Sequence, residues 1–157
     1  MILFVCTGNT CRSPMAAVLA QKLLREAGTE YAVQSAGVHA SPACAASAHA
    51  ITAMRGAGCD LLPHRSQRAT AQLVADAKLI LTMTAAHRAA VLSIAPKSAH
   101  KVFTLCGYPH ENDTIQADAD VVDPFGGDLL TYQQCAAQIK QLIKSSLGKI
   151  IQHIREA

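Results

Sequence analysis

Nine consecutive residues, Cys6-Thr7-Gly8-Asn9-Thr10-Cys11-Arg12-Ser13-Pro14, combine a thiol, a guanidinium and small residues that allow tight turning. Five residues separate Cys6 from Arg12, which makes a short loop whose backbone N–H groups can point inward. Gly8 and Asn9 tolerate left-handed backbone angles. Such a nest at a helix N-terminus holds an anion such as phosphate. Cys6 then lies at the loop floor, where the same amides and helix end favour its thiolate form. Arg12 can clamp two oxygens of the anion with its planar fork. The Ser13 hydroxyl can hydrogen-bond the thiolate and ease its later departure.

These residues need a rigid frame. Four short apolar runs read as buried strands: Ile2–Val5, Tyr31–Ser35, Leu79–Met83 and Val102–Leu105. All but the second are near-continuous rather than alternating, the pattern of strands covered on both faces of a parallel sheet. Helices are expected between them, at Pro14–Ala27, Ala45–Ala57, Ala69–Ala77 and Ala85–Ile94. Ser13 and Pro14 form an N-cap and first-turn pair, and Gly28 supplies a stop. A final helix carries apolar residues at helical spacing from Tyr132 through Cys135, Ile139, Ile143 and Ile150 to Ile154, with Gly148 a place to fray or bend. Strand–helix alternation predicts an α/β chain with a parallel sheet. The cysteine loop therefore runs from the first strand into the first helix. The segment from Gly107 to Asp128 is polar, acidic and irregular, as functional loops of that length tend to be.

Composition narrows the class. The chain has 157 residues, enough for one domain with a substantial core and short for two. Half the residues are hydrophobic and 16% are charged, which argues against disorder. A net charge of +3 is no nucleic-acid footprint. No apolar run reaches the length of a membrane span. The start Met1–Val5 is too short for a secretory signal and lacks a basic leader. A soluble, cytoplasmic chain with reduced cysteines is expected, so the six cysteines are not read as three disulfides.

Residues Val5 to Pro14 resemble the signature of the low-molecular-weight protein-tyrosine phosphatases, and the resemblance extends over nearly the whole chain. It implies a single domain with a four-stranded parallel sheet flanked by helices, the Rossmann/flavodoxin-like fold of that family. It implies that Cys6 is the nucleophile, Arg12 the phosphate clamp and Ser13 the thiolate stabiliser. Thr7, Gly8, Asn9, Thr10, Cys11 and Phe125 are then the expected substrate-binding residues. Ser35 and His64 match partners of the loop Asn, here Asn9. The general acid of the family is a late Asp followed by Pro, which Asp123-Pro124 fits. Pro124 biases Asp123 to an extended backbone that can aim the carboxyl out of a loop. Asp118 and Asp120 are neighbouring rivals that otherwise read as solvated acids. The reaction implied is attack by Cys6 on phosphorus, a phosphocysteine intermediate, and hydrolysis with Asp123 as acid and then base, without metal or organic cofactor. Cys6 and Cys11 match a pair that forms a reversible disulfide in many members.

The group attached to the phosphate is less fixed. A bacterial branch of the family prefers phosphoarginine and carries Thr where tyrosine phosphatases usually carry an apolar residue; here that position is Thr10. A hydroxyl at the pocket rim suits a guanidinium leaving group, whereas Ile offers apolar bulk to a phenol ring. Aromatics are only 4% of the chain, with Phe125 the one evident ring for the pocket wall. Phosphoarginine is therefore favoured, with phosphotyrosine in proteins as the alternative. A thioredoxin-coupled arsenate reductase shares the fold but usually has Gln where this chain has Pro14. A non-catalytic phosphoprotein-binding module usually loses the Cys, Arg or Asp.

Other residues receive plainer expectations. Cys106 and His110 have metal-like spacing without a second pair, so no metal site is expected. Cys135 reads as helix packing, and Cys44 and Cys59 as structural or incidental. His39, His49, His87, His100 and His153 read as surface or internally satisfied residues. The family often has an Asp after the third strand, where this chain has Met83-Thr84. Phosphorylated proteins are the expected partners, with no nucleic acid, no membrane and a monomeric state.

Overall fold

The computed structural model describes residues 1–108 and 119–156. Strands β1 (Ile2–Cys6), β2 (Val33–Gly37), β3 (Leu79–Thr82) and β4 (Val102–Thr104) form one sheet in the order β2-β1-β3-β4, with every pairing parallel. Helices α1 (Arg12–Glu26), α2 (Ala48–Gly56), α3 (Ala71–Asp76), α4 (Ala85–Ile94) and α5 (Leu129–Glu156) cover its two faces. The near-continuous apolar strands are buried on both sides, as the sequence pattern predicts. Side chains alternate across the sheet. Ile2, Phe4 and Cys6 join Met15, Met54, Ile139 and Ile143 in the core under α1, α2 and α5. Leu3 and Val5 join Val74 and Val91 in the core under α3 and α4. Cys6 therefore ends the β1 row that faces α1 and α5.

The strand order reverses direction at β1, with β2 on one side and β3 on the other. In open α/β sheets ligands bind beyond the carboxyl ends of the strands at such a switch point. The Cys6–Arg12 loop leaves β1 at that place.

Three local expectations change. Strand β2 covers Val33–Gly37 rather than Tyr31–Ser35, because pairing runs from Ile2↔Val33 to Cys6↔Gly37. Tyr31 lies outside the ladder, where its hydroxyl accepts a hydrogen bond from the Met1 amino group at 3.1 Å. Helix α1 begins at Arg12, so Ser13 is inside its first turn and does not cap it; the preceding Cys11 makes no side-chain cap either. The first-turn N–H groups are left for the loop and for whatever it holds. A 3₁₀ turn over Pro96–Lys101, absent from the sequence reading, joins α4 to β4.

Helix α5 starts at Leu129 and continues through Gly148 to Glu156 without a break. Asp128 Oδ1 accepts hydrogen bonds from the Thr131 backbone N–H and hydroxyl at its start, which holds the Asp128 carboxyl below its ordinary range. Tyr132, Cys135, Ile139, Ile143, Ile150 and Ile154 are buried along one stripe. Each isoleucine there contributes roughly 1.5–3 kcal/mol of burial. That stripe pins α5 against α1 and so fixes the approach of Asp128 and the segment before it to the loop. No helix among the described residues is long and apolar enough to cross a membrane.

Candidate active site

The loop is held from below by one asparagine. Asn9 is fully buried and has a left-handed φ of 56°, a conformation that Asn tolerates better than most residues. Its side-chain amide donates to Ser13 Oγ and to Ser35 Oγ, both at 2.9 Å, and its Oδ1 accepts from the Gln67 N–H at 2.9 Å. The Asn9 carbonyl accepts from His64 Nε2 at 2.7 Å. Every polar atom of the side chain thus has a partner, which is what a buried amide requires. Ser35 and His64 both act on Asn9, one on the side chain and one on the carbonyl. Gln67, which sequence reasoning missed, supplies the third contact through its backbone and so carries no side-chain signature.

Gly37, at the end of β2, lets the loop lie close to the sheet. A Cβ there would fall 2.9 Å from Asn9 N and nearer still to the Thr7 carbonyl. Only glycine fits between them. His39 N–H then donates to that Thr7 carbonyl at 3.0 Å, and Val38 N–H to the Cys6 carbonyl at 2.9 Å.

Cys6 Sγ lies 2.9 Å from Ser13 Oγ and accepts from the Asn9 N–H at 3.3 Å. Ser13 Oγ is also 3.2 Å from the Ala36 carbonyl. The serine has a single hydrogen, so these contacts describe two states. A Cys6 thiol donates to Ser13, which then donates to Ala36. A thiolate takes the serine hydrogen for itself. Because Asn9 already donates to Ser13 Oγ, the hydroxyl is polarised toward the sulfur in the second state.

Arg12 is 5% exposed and spans to the other side of the loop. One terminal nitrogen donates to the Val121 carbonyl at 3.1 Å; the other pairs with Asp123 Oδ2 at 3.1 Å. Asp123 Oδ1 accepts from Phe125 N–H at 3.2 Å, a turn that the following proline favours. The Asp123 side chain is 54% exposed, so this pair contributes little to stability. Cys6, Thr7, Gly8, Thr10, Cys11, Arg12, Asp123 and Phe125 line one cavity of about 270 Å³. Phe125 stands at its rim, 80% exposed. A larger groove of about 340 Å³ runs behind the loop past Ser35, His64 and Gln67 and holds no thiol.

Cys11 shares the cavity, and its sulfur is 3.3 Å from both Ser47 Oγ and Tyr132 Oη. Asp120 is not merely solvated: its Oδ1 accepts the Ala85 N–H at 2.8 Å at the start of α4. Thr84 caps the same helix by accepting from His87 N–H at 3.1 Å, so this turn is satisfied without a carboxylate after β3. Asp118 and His110 lie outside the described residues. Cys106 is buried, and burial pushes its thiol up. Cys135 lies on the buried stripe of α5, with burial pushing its thiol up to about 12. Cys44 is exposed and Cys59 partly buried.

His87 takes the internal rather than the surface alternative, and it reaches the loop itself. It is 6% exposed and its Nε2 lies 2.8 Å from Thr7 Oγ1. Burial, with Arg12 next in effect, lowers its pKa from 6.5 to about 4. Burial also lowers that of His64. Both rings bind protons more weakly in the folded chain than in the unfolded one. The unfolded state therefore gains protons first, and stability falls as pH drops through about 6.5 toward 4. Urea unfolding should show a lower midpoint at about pH 5 than at about pH 7, and His87→Gln should narrow that difference. An equal pH dependence in the variant would remove His87 as a source.

Comparison with known proteins gives a consistent result. A family model for low molecular weight phosphotyrosine protein phosphatase matches residues 1–156. The protein-arginine-phosphatase of Bacillus subtilis (strain 168) is 39% identical over 143 residues, 91% of each chain. The protein of the same name from Geobacillus stearothermophilus is 37% identical over 149 residues, 95% of each chain. A solved Cys-to-Ser mutant of the YwlE arginine phosphatase, with a phosphorylated active-site serine, superposes with a TM-score of 0.87 at 37% identity, covering 95% of this chain and 94% of that one.

Proposed function

The chain belongs to the low-molecular-weight phosphotyrosine protein phosphatase family, and from that premise we propose that it hydrolyses phosphoarginine in proteins through a phosphocysteine at Cys6. The observation that carries the reading is the single cavity that Cys6, Arg12 and Asp123 share. A phosphoryl group entering it meets the loop amides and competes with Asp123 for Arg12, which clamps two of its oxygens. The Asp123 carboxyl is then free to face the leaving atom. Cys6 attacks phosphorus in line, and Asp123 gives its proton to the departing nitrogen or oxygen. Asp123 next takes a proton from the water that hydrolyses the S–P bond, and Ser13 donates to the thiolate as it leaves. The relative with phosphate on its active-site serine supports a covalent intermediate at this position.

The preference for phosphoarginine rests on Thr10 at the cavity and on relatives named for that activity. Ring stacking is worth roughly 0.5–1.5 kcal/mol beyond burial. With Phe125 the only ring on the cavity wall among the described residues, phosphotyrosine loses part of its grip and remains a slower substrate. Assayed side by side on phosphoarginine and phosphotyrosine peptides, the wild type should favour the first. Thr10→Ile should shift the ratio of kcat/KM toward phosphotyrosine by up to roughly tenfold, the scale of one neutral hydrogen bond. Equal losses on both peptides would remove Thr10 as the selector.

A reactive thiolate needs a reducing compartment, so we place the enzyme in the cytoplasm, as a monomer acting on phosphorylated proteins. Cys11, on the same cavity wall, is the candidate redox partner of Cys6. Mild peroxide should yield a Cys6–Cys11 disulfide whose reduction by thiols restores activity. Sulfinic acid at Cys6 with no bridge would exclude that protection.

A further inference from the structure

Thr7 follows the nucleophile, is exposed and lines the cavity beside Cys6 and Arg12. Among the described residues its hydroxyl has one hydrogen-bond partner, His87 Nε2 at 2.8 Å. Among the described residues the other ring nitrogen, Nδ1, is buried without a hydrogen-bond partner. His87 lies in the first turn of α4, anchored by its N–H to Thr84 Oγ1. The positive end of that helix opposes charge on the ring. So do burial, Arg12 and His39, while Asp120 and Asp123 act the other way.

A neutral ring has one N–H and two places for it. On Nδ1 it would be a buried donor with no acceptor, which native structures rarely tolerate. Thr7 would then have to donate to Nε2 and would show the cavity only lone pairs. On Nε2 the N–H is satisfied by Thr7 Oγ1, the orphan atom is a bare lone pair, and the threonine hydrogen is free. An anion in the cavity attracts that hydrogen and repels lone pairs.

We propose that His87 is a positioning residue that donates Nε2–H to Thr7 and so turns the Thr7 hydroxyl into a further donor to the phosphoryl group. His87 does not touch the substrate; it sets the polarity that Thr7 presents. The inference rests on the reading of the cavity as a phosphoryl site.

The ring assignment is tested on the free wild-type protein, by ¹⁵N chemical shifts of His87 at neutral pH. A pyrrole-type Nε2 and a pyridine-type Nδ1 are expected. The reverse pattern, or two protonated nitrogens, overturns the proposal. The functional arm measures competitive inhibition of aryl phosphate hydrolysis by inorganic phosphate. Thr7→Val and His87→Leu should each weaken inhibition by roughly tenfold, the scale of one hydrogen bond to a charged group. The double variant should be no worse than Thr7→Val alone. His87→Gln, whose amide N–H reaches the Nε2 position, should recover most of the loss. Additive losses, or no rescue by Gln in a folded variant, overturn the proposal. A wild type that neither turns over the ester nor binds phosphate fails differently: it sinks the phosphatase reading, whatever the ring assignment.

Discussion

Cys6→Ser is expected to lower turnover of an aryl phosphate by at least about three orders of magnitude while leaving inorganic phosphate binding nearly intact. The two effects separate because the cradle and the nucleophile are different parts of the loop. In the proposed mechanism Arg12 and the amides of residues 7 to 12 hold the anion, and the contacts that place the Arg12 guanidinium do not involve the sulfur. The Asn9 contacts to Ser13, Ser35 and Gln67 that fix the loop also remain. What is lost is the sulfur at the loop floor, where Ser13 and the Asn9 N–H converge on Sγ. A serine hydroxyl in the same place is a far weaker nucleophile at neutral pH. Steady-state kinetics with calorimetric titration of phosphate reads both quantities. Undiminished turnover would exclude Cys6 as the nucleophile, and loss of phosphate binding would assign it to the cradle instead.

Asp123→Asn should lower kcat/KM, which reports the step that expels the leaving group, by roughly 10²–10⁴-fold on substrates whose leaving group needs a proton. The loss should shrink for a nitrophenyl ester, because nitrophenolate departs without one. That dependence on the leaving group separates an acid from a residue that merely orders its loop, which would cost both substrates alike. Stability should change little, since the Asp123 carboxylate is half exposed where it meets Arg12. The variant keeps an oxygen to accept from Phe125 N–H, so the turn before α5 should survive. Equal losses on both esters would remove Asp123 as the proton donor and leave the acidic residues of the preceding segment as the alternatives.

The parts of this site that were legible in the sequence are local in the chain. The loop is nine contiguous residues, and its chemistry follows from residue type and from the strand before it. The α5 stripe is legible because helical periodicity repeats over many turns. Continuous apolar runs announced the buried parallel strands, since both faces need covering. The boundaries of β2 were not legible, because they follow from pairing with β1 and from the close approach of Gly37 to the loop. Ser13 suits two roles in the sequence, a helix cap and a partner of the Cys6 sulfur, and Ser-Pro has the same spelling for both; the structure keeps only the second. Gln67 acts through its backbone, which no residue type reports. Ser47 and Tyr132 meet Cys11 from 36 and 121 residues away, and His87 meets Thr7 from 80 residues away. Only the packing of α2, α4 and α5 around the sheet brings them there.

A phosphocysteine at Cys6 is tested most directly by detecting phosphate on that residue during turnover. Asp123→Asn, mixed rapidly with a nitrophenyl phosphate, should form the intermediate readily and hydrolyse it slowly. A stoichiometric burst of nitrophenolate is expected, with mass analysis placing the phosphoryl group on the Cys6 peptide. A burst without phosphate on Cys6, or phosphate carried by another residue, would contradict it.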